Sequence, residues 1–272
     1  MAMINYVDKV AINANAGIPD ANKVKDTDMN ELKNAFNNQV AKGWYNSGTS
    51  SVYAYVSWNA TTKIGVVSSS VDPTSYLSVG MKVKFTQNAI VKYGIIVAIS
   101  STQITLFMGT DYTLLNSVIT NAFYSILKAP YGFPMDQNKW KLTVGITSNY
   151  YNATPTTTDY YGSSVLALSL PIGAWDLSYQ VGVQITATAT QYCSANISTS
   201  PTSLVGNAGF TDNQSVPVAG VIAKRFRASN KIILTAPATY YFMFKNDTAY
   251  TALYITGSAT SISSIDAICS YL

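Results

Sequence analysis

The sequence has 272 residues, of which 48% are apolar and 11% are charged, and its net charge is +4. Soluble domains average about 25% charged residues, so charged side chains are scarce in this chain. Histidine is absent, which excludes Ser-His-Asp and Cys-His catalysis and histidine-ligated zinc. The high apolar content argues against disorder, since disordered chains are poor in apolar residues. We therefore expect a folded protein that is not an enzyme and needs no cofactor.

The N-terminal region, residues 1–48, contains one predicted helix at about residues 27–42, preceded by an extended polar segment. Asp28 and Glu31 have the spacing of a capping box. The apolar stripe of the helix consists of Met29, Leu32, Phe36 and Val40. A single helix of about four turns is not stable alone. The stripe must therefore contact either the body of the protein or copies of itself.

Residues 49–138 change to the period-two pattern of β-strands. In Met81–Thr86, Met, Val and Phe share one face while Lys, Lys and Thr share the other. The proline-rich segment Pro130–Pro134 breaks regular structure and closes the region. These features predict a small all-β module resembling a β-barrel.

Residues 139–272 are again rich in short β-strand patterns. Turn signals recur about every 8–12 residues, the spacing of a β-sandwich or jelly roll. The candidates include one long strand over Ala174–Thr188 and two shorter ones over Val221–Phe226 and Lys231–Leu234. Trp175, in the alternating part of the long strand, is predicted to lie in the core. The fold class is therefore mainly β.

Charge is distributed unevenly. No lysine or arginine occurs from Leu142 through Ala223, where Asp159, Asp176 and Asp212 are the charged residues. The centres of subunit interfaces are depleted in charge. The stretch therefore predicts a homo-oligomer in which much of this neutral surface is buried.

Cys193 and Cys269 lack metal-ligand spacing. Free buried thiols are the default expectation, and a disulfide would require the fold to bring them together. Residues 1–17 contain no recognisable secretory signal, and the longest apolar run, Tyr93–Ile99, is far shorter than the ~20 residues that span a bilayer. Membrane insertion is therefore not expected. Basic residues are scattered along the chain, so nucleic-acid binding is not expected either.

Distinctive segments occur in all three regions: Ile18–Val24 with Asp28–Asn34 near the N-terminus, Val79–Gln87 in the middle module, and Pro171–Gln180 with Ile265–Leu272 in the third region. Together they resemble segments of bacteriophage tail-fibre and receptor-binding proteins. The resemblance implies a homotrimer with a C-terminal jelly-roll head. It also implies that the N-terminal segment attaches to other virion proteins and that the chain, made in the host cytoplasm, is located in the virion.

Two groups of residues are candidates for recognition. Tyrosine offers a flat apolar ring with a hydroxyl at its edge, which suits stacking on sugars. The predicted glycan contacts are Tyr150, Tyr151, Asp159, Tyr160 and Tyr161. The predicted contacts to an anionic polymer are Lys224, Arg225 and Arg227. Core packing and the trimer seam are the alternatives for the tyrosines, and a solvated strand face is the alternative for the basic residues.

The predicted function is that of a tail-associated receptor-binding protein that adheres to host-surface polysaccharide. The alternative is a structural virion subunit, such as a head fibre, baseplate component or tail adaptor, that binds no receptor.

Overall fold

A computed structural model of the protein describes residues 26–37, 42–47, 52–152, 161–187, 190–204, 208–216, 220–247, 250–257 and 263–272. These residues form two units. Unit 1 comprises the described residues within 1–58, 65–107 and 114–135, and unit 2 those within 59–64, 108–113 and 136–272. Both units consist mainly of antiparallel β-strands, so the expected mainly β class is confirmed.

The predicted N-terminal helix is present, and it begins one residue before the predicted start. Helix α1 spans Asp26–Ala35, with Lys33 in its last turn. Two residues of the predicted apolar stripe, Met29 and Leu32, keep 40% and 60% of their surface exposed. The part of the prediction at residues 38–41 lies outside the described residues.

Unit 1 is built on a seven-stranded sheet. Its strands are β1 (Tyr45–Asn46), β2 (Tyr53–Asn59), β3 (Ile64–Ser69), β4 (Lys82–Gln87), β5 (Ile90–Ile99), β6 (Gln103–Phe107) and β7 (Thr120–Ser125). Their order is β1-β7-β4-β5-β6-β3-β2. A two-residue turn joins β4 to β5, with positive φ at both Asn88 and Ala89, as the twist of such hairpins requires. A short 3₁₀ helix, Pro73–Ser75, precedes β4.

Two details of the prediction for this module are wrong. The described strands form an open path with β1 and β2 at its ends, not a β-barrel. Strand β1 has two residues, which is too short for the ladder that would close the sheet. The predicted strand over 81–86 is observed as β4, but its lysine face is only partly accessible to solvent, since Lys82 is 3% exposed and Lys84 and Thr86 are half-buried.

Unit 2 contains the remaining strands. They are β8 (Lys141–Ile146), β9 (Tyr150–Asn152), β10 (Tyr161–Leu170), β11 (Gly173–Ala187), β12 (Gln191–Ser198), β13 (Asp212–Val216), β14 (Gly220–Leu234), β15 (Ala238–Asn246), β16 (Tyr250–Thr256) and β17 (Ser263–Cys269). Two 3₁₀ helices, Gln137–Trp140 and Ala208–Phe210, accompany them.

These strands form two sheets. The four-stranded sheet has the order β10-β15-β12-β13, and the six-stranded sheet has the order β8-β17-β11-β16-β9 with β14 also paired to β11. Strand β14 pairs with β11 along all of 173–187. On its other edge, β11 pairs with β17 over 175–180 and with β16 over 182–187. Strand β11 is therefore the centre of the larger sheet.

Aromatic side chains pack the two sheets of unit 2 together. The rings of Tyr179 and Phe242 lie 5.5 Å apart, and those of Phe226 and Phe244 lie 5.7 Å apart. The buried Tyr179 hydroxyl donates to the carbonyl oxygen of Ala195 or Phe210, at 3.2 and 3.0 Å. The core therefore satisfies its polar group with backbone oxygens.

Two expectations about the core of unit 2 are confirmed. Trp175 is fully buried, and its indole Nε1 donates to the carbonyl oxygen of Pro171 at 3.1 Å. Cys193 and Cys269 are buried free thiols. The two cysteines therefore do not cross-link this unit.

Candidate functional site

The outer face of the six-stranded sheet is defined by the even-numbered residues of β11 and the residues opposite them on neighbouring strands. The odd-numbered residues 175–185 of β11 are all at least 98% buried in the core. Because neighbouring side chains on a strand point to opposite faces, the even-numbered ones point away from that core. They include Ser178, Gln180 and Gln184. The outer face is therefore polar and nearly uncharged along its central strand.

Strand β14 places both arginines of the chain on the outer face. Arg227 lies opposite Gln180 and Arg225 opposite Gly182, whereas Lys224 lies opposite the buried Val183. Lys224 therefore belongs to the other side of the sheet. The structure thus brings Arg225 and Arg227 of the predicted basic cluster together and separates Lys224 from them.

Lys224 lies close enough to Cys193 to act on its thiol. Burial and the charge of Asp247 raise the pKa of Cys193 to about 11, and the positive charge of Lys224 opposes that rise. The half-buried side chain of Lys224 therefore lies on the core side of the six-stranded sheet and not on its outer face.

Side chains of β13 hold the second edge of β14 in place. The Asp212 carboxylate accepts from the backbone N–H of Arg227 at 2.9 Å. The Gln214 amide donates to the carbonyl oxygen of Arg225 at 2.7 Å. The backbone that carries the two arginines is thus fixed on one edge by the β11 ladder and on the other by these two side chains.

Two tyrosines lie on the other side of β11 from the arginines, on strands β16 and β9 of the same outer face. Tyr151 of β9 lies opposite Tyr254 of β16, and Tyr254 lies opposite Gln184 of β11. The two rings are 4.7 Å apart at an interplanar angle of 34°. Tyr151 is 48% exposed. The pair therefore presents aromatic surface to solvent on the same face as the arginines.

The other predicted glycan residues do not join this pair. Tyr150 lies opposite the buried Ile255, so it alternates to the other side of the sheet. The backbone of Tyr161 pairs with Phe244 in the four-stranded sheet. Asp159 and Tyr160 lie outside the described residues.

Tyr254 was missed by sequence reasoning. The signal is the alternation within β16, where Leu253 and Ile255 are buried on either side of it. Recognising its role also requires the pairing with β9, about one hundred residues earlier in the chain.

A recess of about 380 Å³ lies on the outer face, and its polar lining includes Ser178, Gln180, Arg227, Ser229 and Asp266. This volume is at the small end of the range for ligand sites. Arg227 is exposed, and no carboxylate among the described residues lies within 4 Å of its guanidinium. Its fork of donors is therefore available to a ligand.

Asp266, on the far side of the recess, is already neutralised. Its carboxylate pairs with Lys141 at 2.7 Å and accepts from the hydroxyls of Thr143 and Ser264 at 2.8 and 2.9 Å. These contacts hold the carboxylate in a fixed orientation. The recess can consequently offer acceptors and donors without an unpaired negative charge that would repel an anion.

The outer face carries hydroxyls, amides, the two guanidinium groups and a pair of phenol rings, all of which can bind a polar ligand. Within the described ranges, no group of three or more His, Cys, Asp or Glu side chains could hold a metal ion. A search of the same ranges finds no helix long and apolar enough to cross a membrane.

Comparison with known proteins gives distant structural likenesses. No protein-family model and no curated protein matches the chain. An isomaltodextranase from Arthrobacter globiformis in complex with panose is similar at a TM-score of 0.25 and 12% identity, over 79% of this chain and 36% of that one. The infectious bursal disease virus Gx strain gives a TM-score of 0.31 at 8% identity, over 79% and 56%. The Bacillus thuringiensis δ-endotoxin Cry8Ea1 gives 0.24 at 9%, over 86% and 55%.

The chain thus spans about a third to just over half of the length of these structures. Likenesses at such TM-scores assign neither a fold family nor an activity.

Proposed function

We propose that this chain is an adhesion subunit of a bacteriophage virion, attached to the tail, that binds host-surface glycans reversibly and without cleaving them. The observation that carries the proposal is the presence of the Tyr151–Tyr254 pair and the Arg227 recess on one outer face. Tyrosine rings stack on the apolar faces of sugars, and a guanidinium donates to carboxylate or phosphate groups in a bidentate manner. The sequence resemblance to phage receptor-binding proteins supports the same role.

We infer that unit 2 is the jelly-roll head of that subunit. A jelly roll has eight strands in two sheets, joined as two Greek keys. The supporting observation is the strand order, β8-β17-β11-β14 in one sheet and β10-β15-β12-β13 in the other. In this interpretation β9 and β16 are an addition beside β11, and they are the strands that carry the two outer-face tyrosines.

The head assembles as a homotrimer, with residues 1–48 of each copy attached to other virion proteins. The absence of lysine and arginine from Leu142 through Ala223 supports burial of part of this surface between copies. Three weak sites on one rigid head gain avidity because the second and third binding events are intramolecular. Sedimentation at micromolar concentration tests this assembly, and a monomer would contradict it.

A glycan array with wild-type and Tyr151→Ala protein tests the binding site. We expect at least a tenfold weaker signal from Tyr151→Ala, because aromatic anchors dominate such contacts. The matched control is Tyr192→Ala, since Tyr192 is 64% exposed but belongs to β12 in the other sheet. Equal binding by wild type and Tyr151→Ala would overturn the proposed site. An assay for new reducing ends on the bound glycan should give none.

A structural virion subunit is the second candidate. The observation that favours it is exposed apolar surface on β14, where Val221 and Ile233 are 65% and 80% exposed. Such side chains are suited to burial against another virion protein. Labelled protein separates the two candidates, since a receptor-binding subunit decorates intact host cells and a purely structural one does not.

A further inference from the structure

Three side chains form a row across the sheet of unit 1. Lys84 of β4 lies opposite Tyr93 of β5 on one side and opposite Phe123 of β7 on the other. Residues directly opposite in neighbouring strands share a face of the sheet. The row therefore places one ammonium group between two aromatic side chains.

The ammonium of Lys84 is held in position by aromatic rings. It lies 4.6 Å from the ring centre of Trp44 and 4.7 Å from that of Phe123, within the range of cation–π attraction. Trp44 is fully buried, and its indole donates to the carbonyl oxygen of Tyr131 at 2.8 Å. The cation is thus fixed by a rigid support and is not a mobile surface charge.

The surroundings of Lys84 favour an anion. Burial lowers the pKa of Lys84, and the positive charge of Lys42 lowers it further. No carboxylate among the described residues lies within 4 Å of its ammonium. A partly desolvated cation beside a second cation gains more from an incoming anion than an exposed lysine does.

A recess of about 350 Å³ lies beside this ammonium, lined by Lys84, Thr86, Val91, Tyr93, Asn121 and Phe123. The volume is near the lower limit for small-ligand sites, so it suits one sugar ring and not a polymer segment. The lining combines aromatic walls with a hydroxyl from Thr86 and an amide from Asn121. These are the groups that contact the apolar face and the hydroxyls of a pyranose.

We propose that this recess in unit 1 is a second binding site, which takes one acidic sugar residue, a pyranose carrying a carboxylate or a phosphate. The acidic group pairs with Lys84, the ring packs against Tyr93 and Phe123, and the sugar hydroxyls bond to Thr86 and Asn121. A neutral sugar makes the same ring contacts but leaves the ammonium without an anion. The site is separate from the outer face of unit 2 and does not depend on it.

A ligand-observed NMR titration of the full chain with three matched monosaccharides tests the proposal. Galacturonic acid and galactose 6-phosphate carry the two acidic groups on one ring, and galactose is their neutral counterpart. We expect at least one acid to bind tenfold more tightly than galactose, and the better of the two identifies the preferred group. Equal affinity for all three sugars, or no binding of either acid, would overturn the proposal.

Substitutions of Lys84 locate the binding. Lys84→Met keeps the aliphatic stem and should remove the preference for the acid, whereas Lys84→Arg should keep it within about threefold, since the charge remains. Lys128→Met is the matched control, because Lys128 is exposed in unit 1 and does not line the recess. An unchanged preference in Lys84→Met would contradict the site. Arg227→Met, in unit 2, should leave this titration unaltered even where it abolishes glycan-array binding.

Discussion

The two units handle positive charge in opposite ways. Unit 1 encloses lysines within its sheet, where Lys82 and Lys92 are 3% and 4% exposed. In unit 2 no lysine or arginine among the described residues is buried, and its two arginines point outward from β14. The difference shows that strand alternation alone does not decide whether a lysine is exposed. What decides it is whether the fold provides a partner for the ammonium group.

The partner of Lys92 is a glutamine that serves several groups at once. The Gln87 side-chain oxygen accepts from the Lys92 ammonium at 3.3 Å and from the Leu115 N–H at 3.1 Å. The Gln87 amide donates to the carbonyl oxygens of Leu115 and Ser117 at 2.9 and 3.1 Å. One fully buried side chain therefore fixes both a buried cation and the segment before β7.

The largest effect on stability is expected from Gln87→Leu, which would break the buried hydrogen-bond network of Gln87 and Lys92 in unit 1. The change leaves four groups without their Gln87 hydrogen bond: the buried Lys92 ammonium, one backbone N–H and two carbonyl oxygens. The free energy of unfolding should therefore fall by about 3 kcal/mol. Urea unfolding followed by circular dichroism measures it. The same substitution at the exposed Gln103 of β6 should change stability by less than about 0.5 kcal/mol. Similar losses at both positions would show that burial of this network is not what matters.

A smaller loss is expected from Tyr179→Phe, which tests the core of unit 2. The substitution keeps the ring that packs on Phe242 but removes the hydroxyl that bonds to Ala195 or Phe210. We expect a loss of about 1 kcal/mol, the usual contribution of one hydrogen bond. Tyr192→Phe removes an exposed hydroxyl instead and should be neutral. A neutral Tyr179→Phe would mean that the carbonyl oxygens find other donors.

The smallest effect at neutral pH is expected from the Cys193 thiol, because the thiol is uncharged there in both the folded and the unfolded state. Its pKa is raised to about 11, above the ordinary value near 8.5. The folded state therefore favours the neutral thiol, so this contribution to stability is complete below about pH 8.5 and is lost as the pH rises towards 11. Cys193→Ala should consequently unfold with a weaker pH dependence than wild type between pH 9 and 11, as measured by thermal denaturation. Parallel curves would contradict the role of this thiol.

Parts of the larger sheet could be predicted from sequence because they depend on local pattern. The long strand over Ala174–Thr188 is observed as β11 within one residue at each end, since its alternation is regular. The sequence predicts two strands, Val221–Phe226 and Lys231–Leu234, in place of the partner strand, and Ser229 and Asn230 between them favour turns. In the structure these residues continue the ladder, with Asn230 opposite Leu177. Pairing along all of β11 overrides the local preference.

The candidate site was predictable in part for the same reason. Alternation along β14 separates Lys224 from Arg225 and could have been recognised from sequence. The contact of Tyr151 with Tyr254 could not, since it requires β9 and β16 to be paired across about one hundred residues. The burial of Lys82 could not be predicted either, because the sequence of β4 does not show which residues pack against that side chain.

Strand β17 also determines when unit 2 can be completed during protein synthesis. It lies between β8 and β11, so the place it fills stays empty until residues 263–269 have left the ribosome. At about 5–20 residues per second, β8 waits on the order of ten seconds for that partner. In that interval the same gap is open in every nascent chain on a polysome. A β17 strand from a neighbouring copy has the same sequence, so synthesis of several chains close together favours strand exchange between copies of the chain.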